Sequence, residues 1–187
     1  MKLAATALFS MPGTPIMPYG TEIAMNGKAT PENHQLMNYK VEQELVELIG
    51  DLNTLRNQSE TFRKGDFEIL YNEEGFSVIK RSSDKETWII AINNTAHTSN
   101  FAIPKDVIGD DKKLRGVLGG DLVRESKDGM FRVVLEREIA EIYIADEDKG
   151  FNIPYLIASI LIYVLFLSFL YIVWRKGRQG RKGNDVA

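Results

Sequence analysis

The 187-residue sequence has no cysteine and only two histidines, His34 and His97. Without cysteine it can form neither disulfides nor thiolate metal sites, and it has no cysteine nucleophile. Neither histidine belongs to an H-E-x-x-H pattern or has a second nitrogen ligand near it, so we interpret both as exposed loop residues and expect no metal site. Gly119-Gly120-Asp121 is not followed by Lys-Ser or Lys-Thr, which argues against a phosphate-binding loop.

Positive charge is scarce before residue 150. Five of the 23 basic residues but only one of the 26 acidic residues lie in 151–187, so residues 1–150 carry a net charge of −7. An acidic domain of this kind has nothing to offset the repulsion of phosphate groups. We therefore expect no nucleic-acid partner.

Charge is entirely absent from Leu156 to Trp174, where thirteen of nineteen residues are Leu, Ile, Val or Phe. A helix of that length spans about 28 Å, close to the thickness of a bilayer. We predict a transmembrane helix over 154–174, preceded by a linker over 147–153; the alternative is a buried core helix. The basic tail, 175–187, should be cytoplasmic and the preceding domain extracytoplasmic, with the lipid bilayer as a partner.

The first ten residues allow two interpretations. Lys2 followed by the apolar run Leu3 to Phe9 imitates a short signal peptide. The alternative is the end of an amphipathic helix, then a turn at 10–13 and a buried strand Thr14–Tyr19. On the second interpretation, the domain that should cross the membrane lacks an export signal. We therefore expect that an upstream part of the protein is missing from this sequence.

The middle of the chain changes from helical to strand periodicity. Residues 21–38 are rich in turn formers, and 38–57 carry an apolar stripe typical of a helix. From residue 66 the period is two, and six or seven short segments at this spacing predict an antiparallel β-sandwich over 66–146. The predicted strands are Phe67–Tyr71, Phe76–Arg81, Thr87–Asn93, Asn100–Ile103, Leu114–Val117, Phe131–Leu135 and Ala140–Ala145.

Glu22 is the one carboxylate in a suggestive position, just beyond the predicted strand Thr14–Tyr19. Parallel α/β barrels carry their functional groups at that end of a strand. One carboxylate is insufficient for glycoside hydrolysis, which normally needs a pair. Asn57-Gln58-Ser59 and Asn93-Asn94-Thr95 match the glycosylation sequon, a triplet that often occurs by chance.

The segment Ala7 to Ile23, ALFSMPGTPIMPYGTEI, resembles the last barrel strand of the α-amylase family of glycoside hydrolases. The family pattern there is approximately L-F-x-x-P-G-x-P-x-I-Y-Y-G-D-E-I, and this chain has Pro18 and Thr21 where Tyr and Asp are usual. Leu45 to Arg56 looks like the final barrel helix, and the sandwich looks like the family's C-terminal domain. The resemblance covers about residues 3–146.

The resemblance implies an α+β fragment: the end of a (β/α)8 barrel over 1–65, an antiparallel β-sandwich and one transmembrane helix. It implies a retaining enzyme acting on α-glucans, such as starch and maltooligosaccharides, whose two Asp and one Glu lie upstream. This chain then holds no catalytic residue, no metal ligand and no cofactor; calcium would belong to the full-length family. Tyr19 and Glu22 are the candidate substrate-binding residues.

Two functions remain open. The chain is the C-terminal part of a membrane-anchored hydrolase, inactive alone, or a membrane-tethered non-catalytic sandwich that binds carbohydrate or a protein partner. Sugar-binding sandwiches usually expose aromatic side chains, whereas most aromatics here fit inward positions, which favours the first function. One strand and one helix cannot close a barrel, so we expect residues 1–35 to be poorly packed.

Overall fold

The computed structural model of the chain describes residues 1–27, 29–38, 40, 43–148, 150 and 153–182. Residues 1–148 form one compact unit, and Lys149–Ala187 a second. The predicted first helical turn at Val41 and Glu42, part of the predicted linker and residues 183–187 of the predicted tail lie outside the described residues.

The first unit contains eight antiparallel strands in two sheets. A six-stranded sheet has the order β1-β2-β3-β8-β5-β6, and a two-stranded sheet pairs β4 with β7. Each predicted strand from Phe67 onward is present within a few residues of its predicted bounds, and the three-residue β6 was not predicted. The strands are β1 Asp66–Glu73, β2 Phe76–Ser82, β3 Thr87–Asn93, β4 Ser99–Pro104, β5 Lys112–Gly116, β6 Leu122–Arg124, β7 Met130–Leu135 and β8 Ala140–Glu147.

The large sheet is covered on both faces. Ile89 of β3 belongs to a core shared with Ile103 and Phe131 of the small sheet. The next residue of β3, Ile90, faces the opposite core, which includes Phe9 from the helical layer. Each such side chain, when fully buried, contributes about 1.5–3 kcal/mol of hydrophobic stabilisation. The apolar run that indicated an inner strand is therefore explained by burial of β3 on both faces.

Three helices form the layer over the outer face of the large sheet. They are α1 Lys2–Ser10, α2 Glu44–Gln58 and α3 Glu60–Lys64, and a fourth, short helix, α4 Lys105–Ile108, follows β4. Ser59 caps α3, its Oγ accepting a hydrogen bond from the Phe62 amide. Ala5 and Phe9 of α1 and Leu52 of α2 are buried against the sheet. Helix α1 agrees with the second of the two interpretations of the first ten residues, a helix followed by a turn, and the expectation that residues 1–35 pack poorly is wrong for α1.

The prediction of a buried strand over Thr14–Tyr19 is wrong. Residues 14–18 belong to no helix and to no ladder, and Ile16 is 82% exposed. A strand requires a neighbour to accept and donate its backbone hydrogen bonds, and the described part of the chain provides none here. Pro15 and Pro18 fix φ at their own positions and disfavour helix in the residues before them.

The second unit contains one helix, α5, Ile153–Lys182. Its segment Ile153–Ile172 has a mean hydropathy of 2.4, and none of that segment is buried in the structure. By length and composition alone, it could cross a membrane. Basic residues begin immediately after Trp174 and continue to the last described turn.

Candidate functional site

A tight turn positions Glu22, one of the two predicted site residues. Thr21 donates a side-chain hydrogen bond to the Pro18 carbonyl (2.7 Å), and the Met25 amide donates to the Gly20 carbonyl (2.9 Å). Gly20 has a φ of 80°, which favours glycine, and a short 3₁₀ helix, Thr21–Ile23, follows it. These contacts hold Glu22 at the start of that helix.

Glu22 lines a surface cleft of about 720 Å³. Lys2 and Glu44, which form an ion pair with each other, also line it, as does Glu138. Three carboxylates and the Lys2 ammonium therefore line the cleft. The remaining lining residues are Met1, Leu3, Ile23, Ala24, Leu45 and Asn94.

Tyr19 does not line this cleft. Its hydroxyl donates a hydrogen bond to the Gln35 carbonyl (3.2 Å), and its side chain is 53% exposed. The structure therefore does not bring Tyr19 and Glu22 together around one cavity, although they are three residues apart. Their role in binding substrate stays a prediction.

Two buried arginines, Arg56 and Arg81, hold the N-terminal segment against the rest of the unit; we call them the arginine clamp. Arg56 donates to the carbonyls of Phe9 (2.7 Å), Met11 (3.1 Å) and Gly13. Burial is the main reason that its pKa is lowered, and the charge of Arg63 adds to the effect. The three carbonyls follow the end of α1 or belong to its last turn, where a helix leaves acceptors unsatisfied.

Arg81 of β2 completes the clamp from the sheet. It donates to the carbonyls of Ser10 (2.9 Å), Thr61 (3.0 Å), Gly65 (3.0 Å) and Asp66 (3.2 Å). Burial lowers its pKa, the Arg56 charge lowers it further, and Asp66 opposes the shift. A cation that donates only to carbonyls positions the backbone and has no free group for chemistry. This clamp was not predicted from the sequence. Arg81 lies on the same face of β2 as Ile79, and an arginine on an apolar face of a strand could have indicated it.

A buried carboxylate, Glu141, organises the loop after β5. It is 2% exposed and accepts hydrogen bonds from the amides of Val117 (3.0 Å), Leu118 (2.8 Å), Gly119 and Ile142 (2.9 Å). A Cβ on Gly119 would lie 2.6 Å from Glu141 Oε2, which explains glycine there. The Leu118-Gly119-Gly120-Asp121 motif is therefore a carboxylate-binding loop within the fold.

The neighbouring Tyr143 is also buried. Burial raises the pKa of its hydroxyl, and the charges of Glu141 and Asp121 raise it further.

The histidines and the second sequon can now be placed. His34 lies in a 3₁₀ helix, Glu32–His34, and His97 is exposed in the β3–β4 loop. Among the described residues, no group of three or more His, Asp or Glu side chains could hold a metal ion. Asn93 is fully buried with its amide hydrogen-bonded, so this sequon cannot carry a glycan in the folded chain.

Most of this chain resembles proteins of known sequence or structure. Residues 65–143 match the family described as the alpha-amylase C-terminal domain. The chain is 47% identical to an α-amylase from Anoxybacillus (TM-score 0.75, covering 80% of this chain and 33% of that one). It is 44% identical to the acarbose-complexed α-amylase of Geobacillus thermoleovorans (TM-score 0.74, 79% and 33%). A cyclomaltodextrinase of Geobacillus thermopakistaniensis is 31% identical over 126 residues, 65% of this chain and 21% of its own length.

In each comparison the chain is much shorter than its relative. It spans 12–21% of the length of the curated relatives and 33% of each of these two solved structures. The share of this chain that matches them, about four fifths, is nearly twice the length of the C-terminal domain match at 65–143. The likeness therefore extends from the sandwich into residues that precede it.

Proposed function

Because this chain belongs to the α-amylase family and corresponds to the C-terminal portion of its members, we propose that it is the accessory part of a glycoside hydrolase acting on α-glucans. In this proposal residues 1–65 supply the last strand and helix of a (β/α)8 barrel. Residues 66–146 are its C-terminal sandwich. The hydrolytic chemistry belongs to upstream barrel strands, and the chain by itself is inactive.

The observation that carries the proposal is the combination of high identity with partial coverage. Identity of 47% with matching fold over four fifths of this chain is far more than a shared sandwich requires, yet the match takes up one third of the amylase. The exposed Ile16 and the unpaired backbone around it are consistent with a strand whose two neighbours come from the rest of a barrel.

The arginine clamp supports the same assignment of residues 1–65 to the barrel and residues 66–146 to the sandwich. Arg56 of α2 donates to the carbonyls of Phe9, Met11 and Gly13. Arg81 of the sandwich donates to the Ser10 carbonyl at the end of α1 and to the carbonyls of Thr61, Gly65 and Asp66. A sandwich attached in this way would hold the last barrel strand at a defined position. Its contribution to catalysis would be indirect, through the stability of the barrel.

A chimeric enzyme tests the proposal. Residues 1–146 would replace the matching C-terminal third of the Anoxybacillus α-amylase, and hydrolysis of soluble starch would be measured. We expect the chimera to be active and the same barrel without any C-terminal third to be inactive, because a barrel needs all eight strands to close. Equal inactivity of the chimera and the shortened barrel would contradict the proposal.

We further propose that α5 anchors the enzyme in a membrane, with the basic end cytoplasmic and residues 1–146 outside. Support comes from the apolar segment Ile153–Ile172 and the cluster of arginine and lysine after Trp174. Replacing both Leu161 and Leu165 with arginine should release the protein from membranes into the carbonate-soluble fraction. Each arginine raises the free energy of inserting the helix into the membrane by about 2.5–3.5 kcal/mol. Arginine at the exposed Ile69 and Val134 is the matched control and should leave membrane association unchanged.

A further inference from the structure

A second, smaller cavity lies between the β1–β2 turn and the β3–β4 loop and shares no lining residue with the Glu22 cleft. Its volume is about 190 Å³, which at about 30 Å³ per water corresponds to roughly six waters. That is the size of one sugar ring. It is lined by Tyr71, Glu73, Glu74, Phe76, Thr95, His97, Thr98, Ser99 and Asn100.

Two of the residues that line this cavity, Tyr71 and Phe76, are aromatic, and we call them its aromatic base. The Tyr71 ring lies 5.0 Å from the Phe101 ring at an interplanar angle of 31°, and 5.9 Å from the Phe76 ring. Phe76 is buried, whereas Tyr71 and Phe101 are half-buried, so the cluster continues the core outward to the surface. These are two of the aromatics expected to point inward, and they are only partly covered.

The walls carry polar groups available to a ligand. His97 and Asn100 are exposed, and their side chains form no hydrogen bond or ion pair with the described part of the chain. The Tyr71 hydroxyl makes one long hydrogen bond to Glu73 (3.4 Å) and retains an acceptor position. Donors and acceptors around a ring surface are the arrangement that a polyhydroxylated ring requires.

The loop that supplies His97 is held rigidly. The Asn93 side-chain amide donates to the carbonyls of His97 (2.9 Å), Leu135 (3.2 Å) and Glu136 (2.9 Å), and its oxygen accepts from the Thr95 amide (3.0 Å) and hydroxyl (2.7 Å). A loop fixed before binding loses little conformational entropy when it binds. The buried Asn93 therefore preorganises one wall of the cavity.

The opposite wall is tied to the same loop. The Asn94 amide donates to the Gly75 carbonyl (2.8 Å) in the β1–β2 turn. Gly75 has a φ of 85°, and a Cβ there would lie 3.3 Å from the Asn94 carbonyl oxygen. Glycine thus permits both the turn and the close approach of the two walls.

We infer that this cavity binds one glucosyl residue of an α-glucan, stacked on Tyr71 and hydrogen-bonded to His97 and Asn100. The carboxylates of Glu73 and Glu74 disfavour an anionic ligand, and a neutral sugar suits both the aromatic base and the polar walls. The choice of α-glucan among sugars rests on the proposed function, whereas the site itself rests on the cavity. Its role would be to hold glucan near the enzyme without cleaving it.

NMR titration of the full chain in phosphatidylcholine nanodiscs, prepared without sugar detergents, tests this inference. The probes are the side-chain signals of His97 and Tyr71, and the ligands are maltotetraose and its β-linked counterpart cellotetraose. We expect saturable shifts with maltotetraose alone. Tyr71→Ala should weaken binding about tenfold, the loss of one stacking contact of about 1.4 kcal/mol, and Tyr71→Phe should weaken it less.

A control variant and a control ligand distinguish the possible outcomes of this titration. His34→Ala, at an exposed histidine that does not line the cavity, should leave binding unchanged. An affinity for maltotetraose that is unchanged in Tyr71→Ala, or the absence of a saturable shift with either sugar, would overturn the site; the proposed function would still be tested separately by the chimera. Equal binding of both tetraoses would overturn the assignment to α-glucan.

Discussion

Arg81 lies in the packed unit with every nitrogen of its guanidinium hydrogen-bonded to carbonyl oxygens of three chain segments. Arg81→Met would leave these buried acceptors without a donor. Hydrogen bonds to charged groups are worth about 1.5–3 kcal/mol each and are not additive, so we expect a loss of about 3–5 kcal/mol in the free energy of unfolding. Urea unfolding followed by Trp88 fluorescence, in a Trp174→Phe background, measures it.

Lys80→Met on the same strand is the control for Arg81. Lys80 is half-buried and pairs with the exposed Glu68 at 3.4 Å. Such a pair contributes less than about 1 kcal/mol. Equal losses in the two variants would contradict the role assigned to the clamp.

Glu86 gives the fold a specific response to acid. Burial raises its pKa, but hydrogen bonds from Ser59 (2.6 Å), Trp88 (3.0 Å) and Thr61, with the charge of Lys85, outweigh burial and lower it overall. A pKa that is lower in the folded state stabilises the fold above the unfolded value of about 4.3, and this stabilisation is lost as pH falls through the folded value.

Glu86→Gln should therefore be less stable than the parent at pH 6, and the difference should narrow as the pH is lowered from about 4.5 to 3. The measurement is the urea midpoint of both proteins across that range, with Glu68→Gln as an exposed control that changes little. A difference that stays constant with pH would mean that Glu86 acts through packing alone.

The strands show how far sequence patterns predict this fold. Periodicity and apolar runs predicted seven of the eight strands, because each packs one face, or in β2, β3 and β8 both faces, against a core. The three-residue β6 is mostly exposed and too short to show a period. Thr14–Tyr19 has the composition of a buried strand but lacks its ladder partners, so composition alone gave the wrong result.

The candidate site was less predictable from sequence than the strands. Glu22 was identified from its place after a predicted strand, and it does line a surface cleft. The arginine clamp and the amides around Glu141 use backbone groups as partners, and every residue has those groups, so no sequence pattern marks them. The cavity at Tyr71 depends on the approach of two loops, which only the tertiary fold determines.

The segment around Ile16 gives a prediction at the scale of an element. The amides of Ile16 and Met17 donate no hydrogen bond within the described part of the chain, whereas those of β2 and β3 lie in ladders. Hydrogen exchange at these two amides should be complete within seconds in this chain, while Ile89 and Ile90 stay protected. In the active chimera Ile16 and Met17 should become protected; rapid exchange there too would contradict their place in a barrel strand.

At the scale of the whole molecule, the chain combines a firmly packed unit with a long apolar helix and few signs of chemistry. Its most buried carboxylate, Glu141, is occupied by four backbone amides, and Glu44 in the large cleft is paired with Lys2. Retaining glycoside hydrolysis requires two carboxyl groups about 5–5.5 Å apart with one free to act as nucleophile. We propose that this pair lies in a part of the enzyme outside this chain.

Hydrolysis of maltotetraose by the purified full chain tests this central claim most directly. Reducing ends would be followed over days, with the Anoxybacillus α-amylase as the positive control and a Glu22→Gln/Glu138→Gln variant to detect any activity of the large cleft. The account predicts no release above the rate in buffer. Release by the chain that disappears in the variant would contradict it, because the chemistry would then lie within residues 1–187.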